Sequence, residues 1–168
     1  SNFCEIKLGK GIVKAKDTPG FIANRVGVYA LATVLHKKLS YNLTIEEVDA
    51  LTGAEIGRPK TGTFRLLDMI GNDTVIHVAD YLKRNLSEVK ELEILDLPDY
   101  YKKMVEQGIL GDKNRAGFYK KEGKDTLVLD LVGFQYLQKN KVEFDGLRDV
   151  KKIKGFREKL NKLIYEQN

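Results

Sequence analysis

Residues 17–35, DTPGFIANRVGVYALATVL, decide how this chain is read. Asp17 or Thr18 can cap a helix, and Pro19 suits its first helical position. The ten residues from Val26 to Leu35 are apolar or small on nearly every side of such a helix. A helix of that kind, carried to about Leu39, is expected in the middle of a core. Asn24 and Arg25 stand just before the run, and polar groups entering a core need partners or a purpose.

Upstream, residues 3–16 read as a connector with strand-like alternation at Ile12, Val13 and Ala15. Downstream, Thr44 with Glu47 three residues on forms a capping box over TIEEVDALTG, with Gly53 as its stop. GAEIGRPKTGT is a loop by its glycines and Pro59. FRLLDMIG reads as a short helix with Phe64, Leu67 and Ile70 at helical spacing. Asn72 or Asp73 is expected to cap the next helix, whose stripe is Val75, Val78, Ala79 and Leu82. A further amphipathic segment lies near LPDYYKKMVEQG. After Thr126 the period shortens, and TLVLD and FQYLQ form a plausible hairpin across LVG. The last stretch, LRDVKKIKGFREKLNKLIYEQN, reads as a helix or helix pair. The fold class expected is all-α, a helical bundle over residues 17–120, with a small β-hairpin connector and a basic C-terminal helical segment.

The 168 residues are 42% hydrophobic and 32% charged, enough for one domain with a core and a small appendage. No apolar stretch approaches the roughly 20 residues that cross a bilayer. One cysteine, Cys4, excludes an internal disulfide and fits a reducing compartment, so a cytoplasmic location is expected. The net charge of +5 is concentrated in the basic tail, whose simplest reading is a solvated helix face. Nucleic-acid binding through residues 147–163 is the rival reading, without the aromatic interleaving of RNA-binding modules. The chain opens at Ser1 rather than methionine and is read as a fragment or processed chain.

Chemical constellations are few. One Cys and two His exclude a Cys/His zinc site by count, and no clustered carboxylates point to another metal. Neither a phosphate-binding G-x-x-x-x-G-K-[ST] nor a G-x-G-x-x-G after a strand occurs. His36, in the last turn of the long helix, is favoured there by the helix dipole alone. His77, with Asp73 and Asp80 on its helix face, is a general-base candidate but has the composition of a routine surface helix. Asn24 is the better prospect. Near the positive end of a helix, its carboxamide can donate to an oxygen gaining negative charge, and Gly20 permits close approach. The alternative is a core polar group bonding its neighbours, and spacing alone favours that alternative.

KDTPGFIANR, GRPKTGTFRLLDMIGNDT and GDKNRAGFYKK occur in an order and spacing that resemble the C-terminal helical domain of 3-hydroxyacyl-CoA dehydrogenases, from about Leu8 to Tyr119. The GRPKTGTF form is similar to that of long bacterial and archaeal proteins that add an enoyl-CoA hydratase domain. The resemblance implies a bundle of the 6-phosphogluconate-dehydrogenase C-terminal-domain type. It also implies an N-terminal Rossmann domain, absent here, that binds NAD and supplies a catalytic histidine. Residues 1–16 would then be the connector from that domain, 17–120 the helical domain, and 121–168 a hairpin connector and the start of a second helical unit. By the same resemblance Asn24 is the catalytic asparagine, orienting the histidine or the substrate oxygen. Pro59 and Phe64 could wall an acyl or pantetheine channel, and Arg58 or Lys60 could meet a CoA phosphate. The partners implied are acyl-CoA, the chain's own Rossmann domain, a second copy in a homodimer and a fused hydratase, with no specific nucleic acid. The isolated chain is expected to hold no NAD and to turn nothing over. One departure is Arg115, where the family usually has glycine. The remaining alternatives are a non-catalytic helical interaction module and a related 6-phosphogluconate or glycerol-3-phosphate type dehydrogenase domain, the latter disfavoured by GFYKK.

Overall fold

A computed structural model of the chain describes residues 2–86, 90–142 and 144–165. Residues 3–16 hold one short π-helical turn, Phe3–Lys7, and no strand forms at Ile12–Ala15. The alternation there finds no neighbouring strand among the described residues, and a lone extended segment leaves its ladder groups to water.

The long helix α1 is Ile22–Ser40. It starts later than its Pro-Gly opening suggests, with Phe21 at the N-cap and no side chain capping it. Gly20 is the cause. At φ +81° it turns the chain so closely onto the fourth helix that a Cβ would lie 2.7 Å from Leu82 Cδ2. Thr18 does not cap; its hydroxyl accepts from the Arg25 guanidinium at 3.1 Å. Nor is α1 buried all round. Val28, Leu31, Ala32 and Leu35 face the core. Ile22, Val26 and Tyr29, on the other side, are 49%, 66% and 43% exposed, and Phe21 is 81% exposed. An all-round apolar helix therefore packs on one face and leaves a second apolar face open in this chain.

Helix α2, Ile45–Leu51, carries the expected capping box: Thr44 N–H donates to Glu47 Oε2 at 2.7 Å, and Glu47 N–H to Thr44 Oγ1 at 3.2 Å. A 3-10 turn at Ala54–Ile56 leads to α3, Gly62–Ile70. The start of α3 is capped from α2, because Asp49 accepts the N–H groups of Phe64 at 2.6 Å and Arg65 at 3.1 Å. This requires Gly62, at φ +69°, where a Cβ would sit 2.6 Å from Asp49 Cα.

Helix α4, Asn72–Asn85, begins at Gly71, so neither Asn72 nor Asp73 is its cap. Asn72 is fully buried and its side chain is committed elsewhere. A 3-10 segment, Lys90–Leu95, precedes α5, Asp99–Glu106. The centre of the core is aromatic: Phe64 and Phe118 rings lie 4.4 Å apart, and Tyr101 stacks on Phe118 at 5.9 Å.

The expected hairpin is the second half of a three-stranded antiparallel meander, β1 Tyr119–Glu122, β2 Asp125–Leu129 and β3 Tyr136–Gln138. Tyr119 pairs with Val128, and Leu129 with Tyr136. Asp130 organises the LVG turn by accepting from Val132 N–H and Gly133 N–H. The tail is a helix pair, α6 Asp145–Lys152 and α7 Phe156–Tyr165. It rests on the 54–57 turn: the Phe156 ring fills the space a Cβ at Gly57 would need, and Lys159 pairs with Glu55 at 2.8 Å.

Candidate functional site

Asn24 is the third residue of α1 and is exposed. The first main-chain bond closing this end runs from Arg25 N–H to Phe21 C=O at 3.0 Å. The N–H groups of the first turn therefore point outward with no side-chain cap, and the dipole makes this tip electropositive. Asn24 makes no side-chain hydrogen bond with a described residue. Its carboxamide is free to donate through Nδ2 and accept through Oδ1. The apolar surface of Phe21, Ile22 and Val26 surrounds it in sequence.

The other expected site residues are not gathered around it. Arg58, Pro59 and Lys60 are exposed on the loop before α3. Phe64 is 0% exposed and packs against Phe118, so its ring is core and walls no channel in this chain. Of the four, Lys60 alone lines a cavity, and it lines both of the two described below, whereas Asn24 lines neither. His36 is structural: its Nε2 lies 3.2 Å from Ile94 C=O. His77 is exposed, and Asp73 pairs with Lys113 rather than with it.

A buried polar cluster escapes the sequence reading. Asp68, 1% exposed, accepts Phe118 N–H at 2.8 Å, Tyr119 N–H at 2.9 Å and Asn72 Nδ2 at 3.2 Å. Tyr101 donates its hydroxyl to Asn72 Oδ1 at 3.0 Å, and Asn72 N–H donates to Leu110 C=O. Burial pushes the Asp68 carboxyl up to about 6, held back by the hydrogen bonds it accepts from Tyr119 and Phe118. Gly117 exists for this contact, since a Cβ would lie 2.0 Å from Asp68 Oδ1. The cluster ties GFY to DMIGND and carries no reacting group to the surface. Burial likewise raises Asp49, opposed by the hydrogen bonds from Phe64, Tyr119 and Arg65.

The turn at Arg115 keeps the geometry glycine would take, at φ 60°. Its side chain lines the larger cavity, about 810 Å³, between α2, the start of α3 and the β-meander. A second cavity of about 580 Å³ continues toward α6 and shares Asp49, Ala50, Lys60, Lys141 and Val142 with it.

The geometry is that of a helical domain with an uncapped, asparagine-bearing helix tip beside an open apolar face. The family model described as 3-hydroxyacyl-CoA dehydrogenase, C-terminal domain, matches residues 20–121, and the chain belongs to that family. It is 43% identical to a Bacillus subtilis protein named "Probable 3-hydroxyacyl-CoA dehydrogenase", over 99% of this chain and 21% of that protein. It is 33% identical to a Rickettsia prowazekii protein, provisionally described as a fatty acid oxidation complex trifunctional enzyme, over 89% of this chain and 22% of that protein. Its fold matches the crystal structure of M. tuberculosis FadB2 with a TM-score of 0.62 at 31% identity, covering 72% of this chain and 41% of that one. The chain thus spans only about a fifth of the length of the two curated relatives. Among the described residues, no helix is long and apolar enough to cross a membrane.

Proposed function

We propose that this chain is the substrate-side, dimer-forming domain of an NAD-dependent 3-hydroxyacyl-CoA dehydrogenase acting in fatty-acid β-oxidation. The observation that carries the reading is the uncapped start of α1, where an unpaired Asn24 carboxamide stands at the positive end of a helix. The exposed Phe21, Ile22, Val26 and Tyr29 supply apolar surface of the kind a Rossmann domain or a second copy covers. The chain has no dinucleotide fingerprint, so NAD is assigned to a Rossmann domain outside it, where it would supply a hydride acceptor for oxidation of the 3-hydroxyl. Asn24 Nδ2 donates to the C3 oxygen, or holds the histidine that receives the hydroxyl proton, and so fixes the geometry of the reacting atoms.

Residues 1–16 serve as the connector from the Rossmann domain. Residues 121–168 form the link toward a further domain, a hydratase being the candidate given the trifunctional relative. A cytoplasmic location completes the proposal. The test joins this chain to a Rossmann domain of the family and follows NADH formation from a 3-hydroxyacyl-CoA. The joined protein is expected to be active and the chain alone silent. A joined, folded protein that oxidises no 3-hydroxyacyl-CoA would refute the reading, leaving a helical interaction module that uses the same apolar face for assembly.

A further inference from the structure

The two joined cavities form an elongated cleft whose charge is one-sided. Its four carboxylates are already engaged. Glu46 accepts Asn140 N–H at 3.1 Å, and Asp49 accepts the N–H groups of α3 and the Tyr119 hydroxyl. Glu55 pairs with Lys159 at 2.8 Å, and Asp112 takes both arms of Arg65 at 2.5 and 2.8 Å. Of the cleft's cations, Arg65 is committed to Asp112 and Lys120 lies 4.0 Å from Glu122, but others are differently placed. Lys60, Arg115, Lys121 and Lys151 line it with no carboxylate partner among the described residues, and Lys139 lies over the Tyr119 ring at 5.2 Å. Nine Lys and Arg residues line the cleft against four carboxylates, two of them ion-paired, so the field in the cleft is positive.

Arg115 adds an independent observation. It occupies the left-handed region at φ 60°, which disfavours any side chain other than a small polar one. The position nonetheless carries an arginine, which lines the cavity, rather than the glycine that would relieve the backbone. Ala50, Val142 and Leu147 add apolar lining, and each of the two cavities taken singly falls within the range of small-molecule sites.

We propose that this cleft is an anion site for an elongated small molecule bearing two or more phosphate groups, held by Arg115, Lys121 and Lys139 at one end and by Lys60 and Lys151 toward the other. Arg115 takes a phosphate through its planar fork, while the lysines act as point charges around it. The site goes beyond the proposed dehydrogenase role, since Asn24 lines neither cavity. Its test needs no turnover.

The shared chemistry fits the 3′-phospho-ADP end of coenzyme A, a free nucleotide or an inorganic oligophosphate, and calorimetry distinguishes them. The full chain is titrated with coenzyme A, adenosine 3′,5′-bisphosphate, ADP and tripolyphosphate at constant ionic strength near 0.15 M, where only close contacts escape screening. One site per chain is expected for at least one of them. Binding of coenzyme A and the bisphosphate but not ADP identifies the coenzyme end as the source. Binding of ADP as well points to nucleotides generally, and of tripolyphosphate alone to bare phosphates. Arg115→Gly and Lys139→Gln are each expected to weaken binding about tenfold, the loss of one charge-assisted contact. Lys37→Gln, on α1 away from the cleft, should leave it unchanged. Arg115→Gly also guards against misfolding, because glycine suits φ 60° and the variant should melt at or above the wild-type temperature. The proposal is overturned if none of the four compounds binds at millimolar concentration, or if both cleft variants bind as wild type does. It is also overturned if a poly-glutamate peptide or single-stranded RNA binds more tightly than every small phosphate.

Discussion

Replacing Asp68 with Asn keeps the side-chain shape and removes its charge, which separates two opposed effects in the buried cluster. In the wild type Oδ1 accepts Phe118 N–H at 2.8 Å and Asn72 Nδ2 at 3.2 Å, while Oδ2 accepts Tyr119 N–H at 2.9 Å. A carboxamide has one oxygen. Its NH₂ must face one of these main-chain donors, leaving a buried N–H unpaired at a cost of about 1–3 kcal/mol. Charge works the other way. The carboxyl is raised from 3.8 to about 6 by burial, so between those values the folded chain binds the proton that the unfolded chain has released. Asp68's contribution to stability is therefore full below the unfolded value and is lost as pH rises through about 6. The whole loss is on the order of 3 kcal/mol, and about 2 kcal/mol of it falls between pH 4.5 and 7.5. Asp68→Asn lacks that slope. Urea unfolding followed by circular dichroism should show the variant clearly less stable near pH 4.5, with the gap narrowing by about 2 kcal/mol near pH 7.5. Parallel stability profiles for the two proteins would refute the reasoning, because they would mean that Asp68 titrates alike in both states.

Gly117→Ala places a methyl 2.0 Å from Asp68 Oδ1, against a carboxylate pinned by two main-chain donors; it should cost several kcal/mol and show as a collapsed melting temperature. Thr44→Ala removes one arm of the capping box and should cost about 1 kcal/mol in the same urea assay. Val26→Asp lies on the open face of α1, so the chain's own stability should change by no more than about 0.5 kcal/mol. Self-association or docking of a Rossmann domain should be lost in that variant, as sedimentation would show.

Much of this organisation is legible in the sequence because it is local. Thr44 and Glu47 announce a capping box, and the structure builds it. Val75, Val78, Ala79 and Leu82 announce the apolar stripe of α4; three of them are in the core and Val78 is partly buried against it. The closing Gly-Phe-Tyr is quotable as a motif, but its reason is a carboxylate 49 residues upstream, counting from Asp68 to Gly117. Asp68 and Asp49 sit on short helices among residues that look like solvated acids, and only the fold shows that they accept main-chain N–H groups from elsewhere. The Pro19 start of α1 failed for a related reason: close packing of Gly20 on Leu82 outweighs a local capping preference. The strand at Tyr119–Glu122 is not legible because YKKE has no alternation, and its pairing comes from residues 125–128 opposite. The positive cleft is likewise non-local, since its cations come from the loop before α3, the Arg115 turn, β1, the approach to α6 and α6 itself.

The central claim is that one carboxamide at the tip of α1 serves the chemistry of a larger enzyme. Its most direct test is the turnover number of the chain joined to a Rossmann domain, with Asn24 intact and with Asn24→Ala. Asn24 is exposed and makes no side-chain hydrogen bond with a described residue, so the variant should fold and melt as wild type does. The account predicts kcat lower by about a hundredfold, the scale set by removing one preorganised donor from a developing charge. Equal kcat in the two proteins, with equal folding, would contradict it.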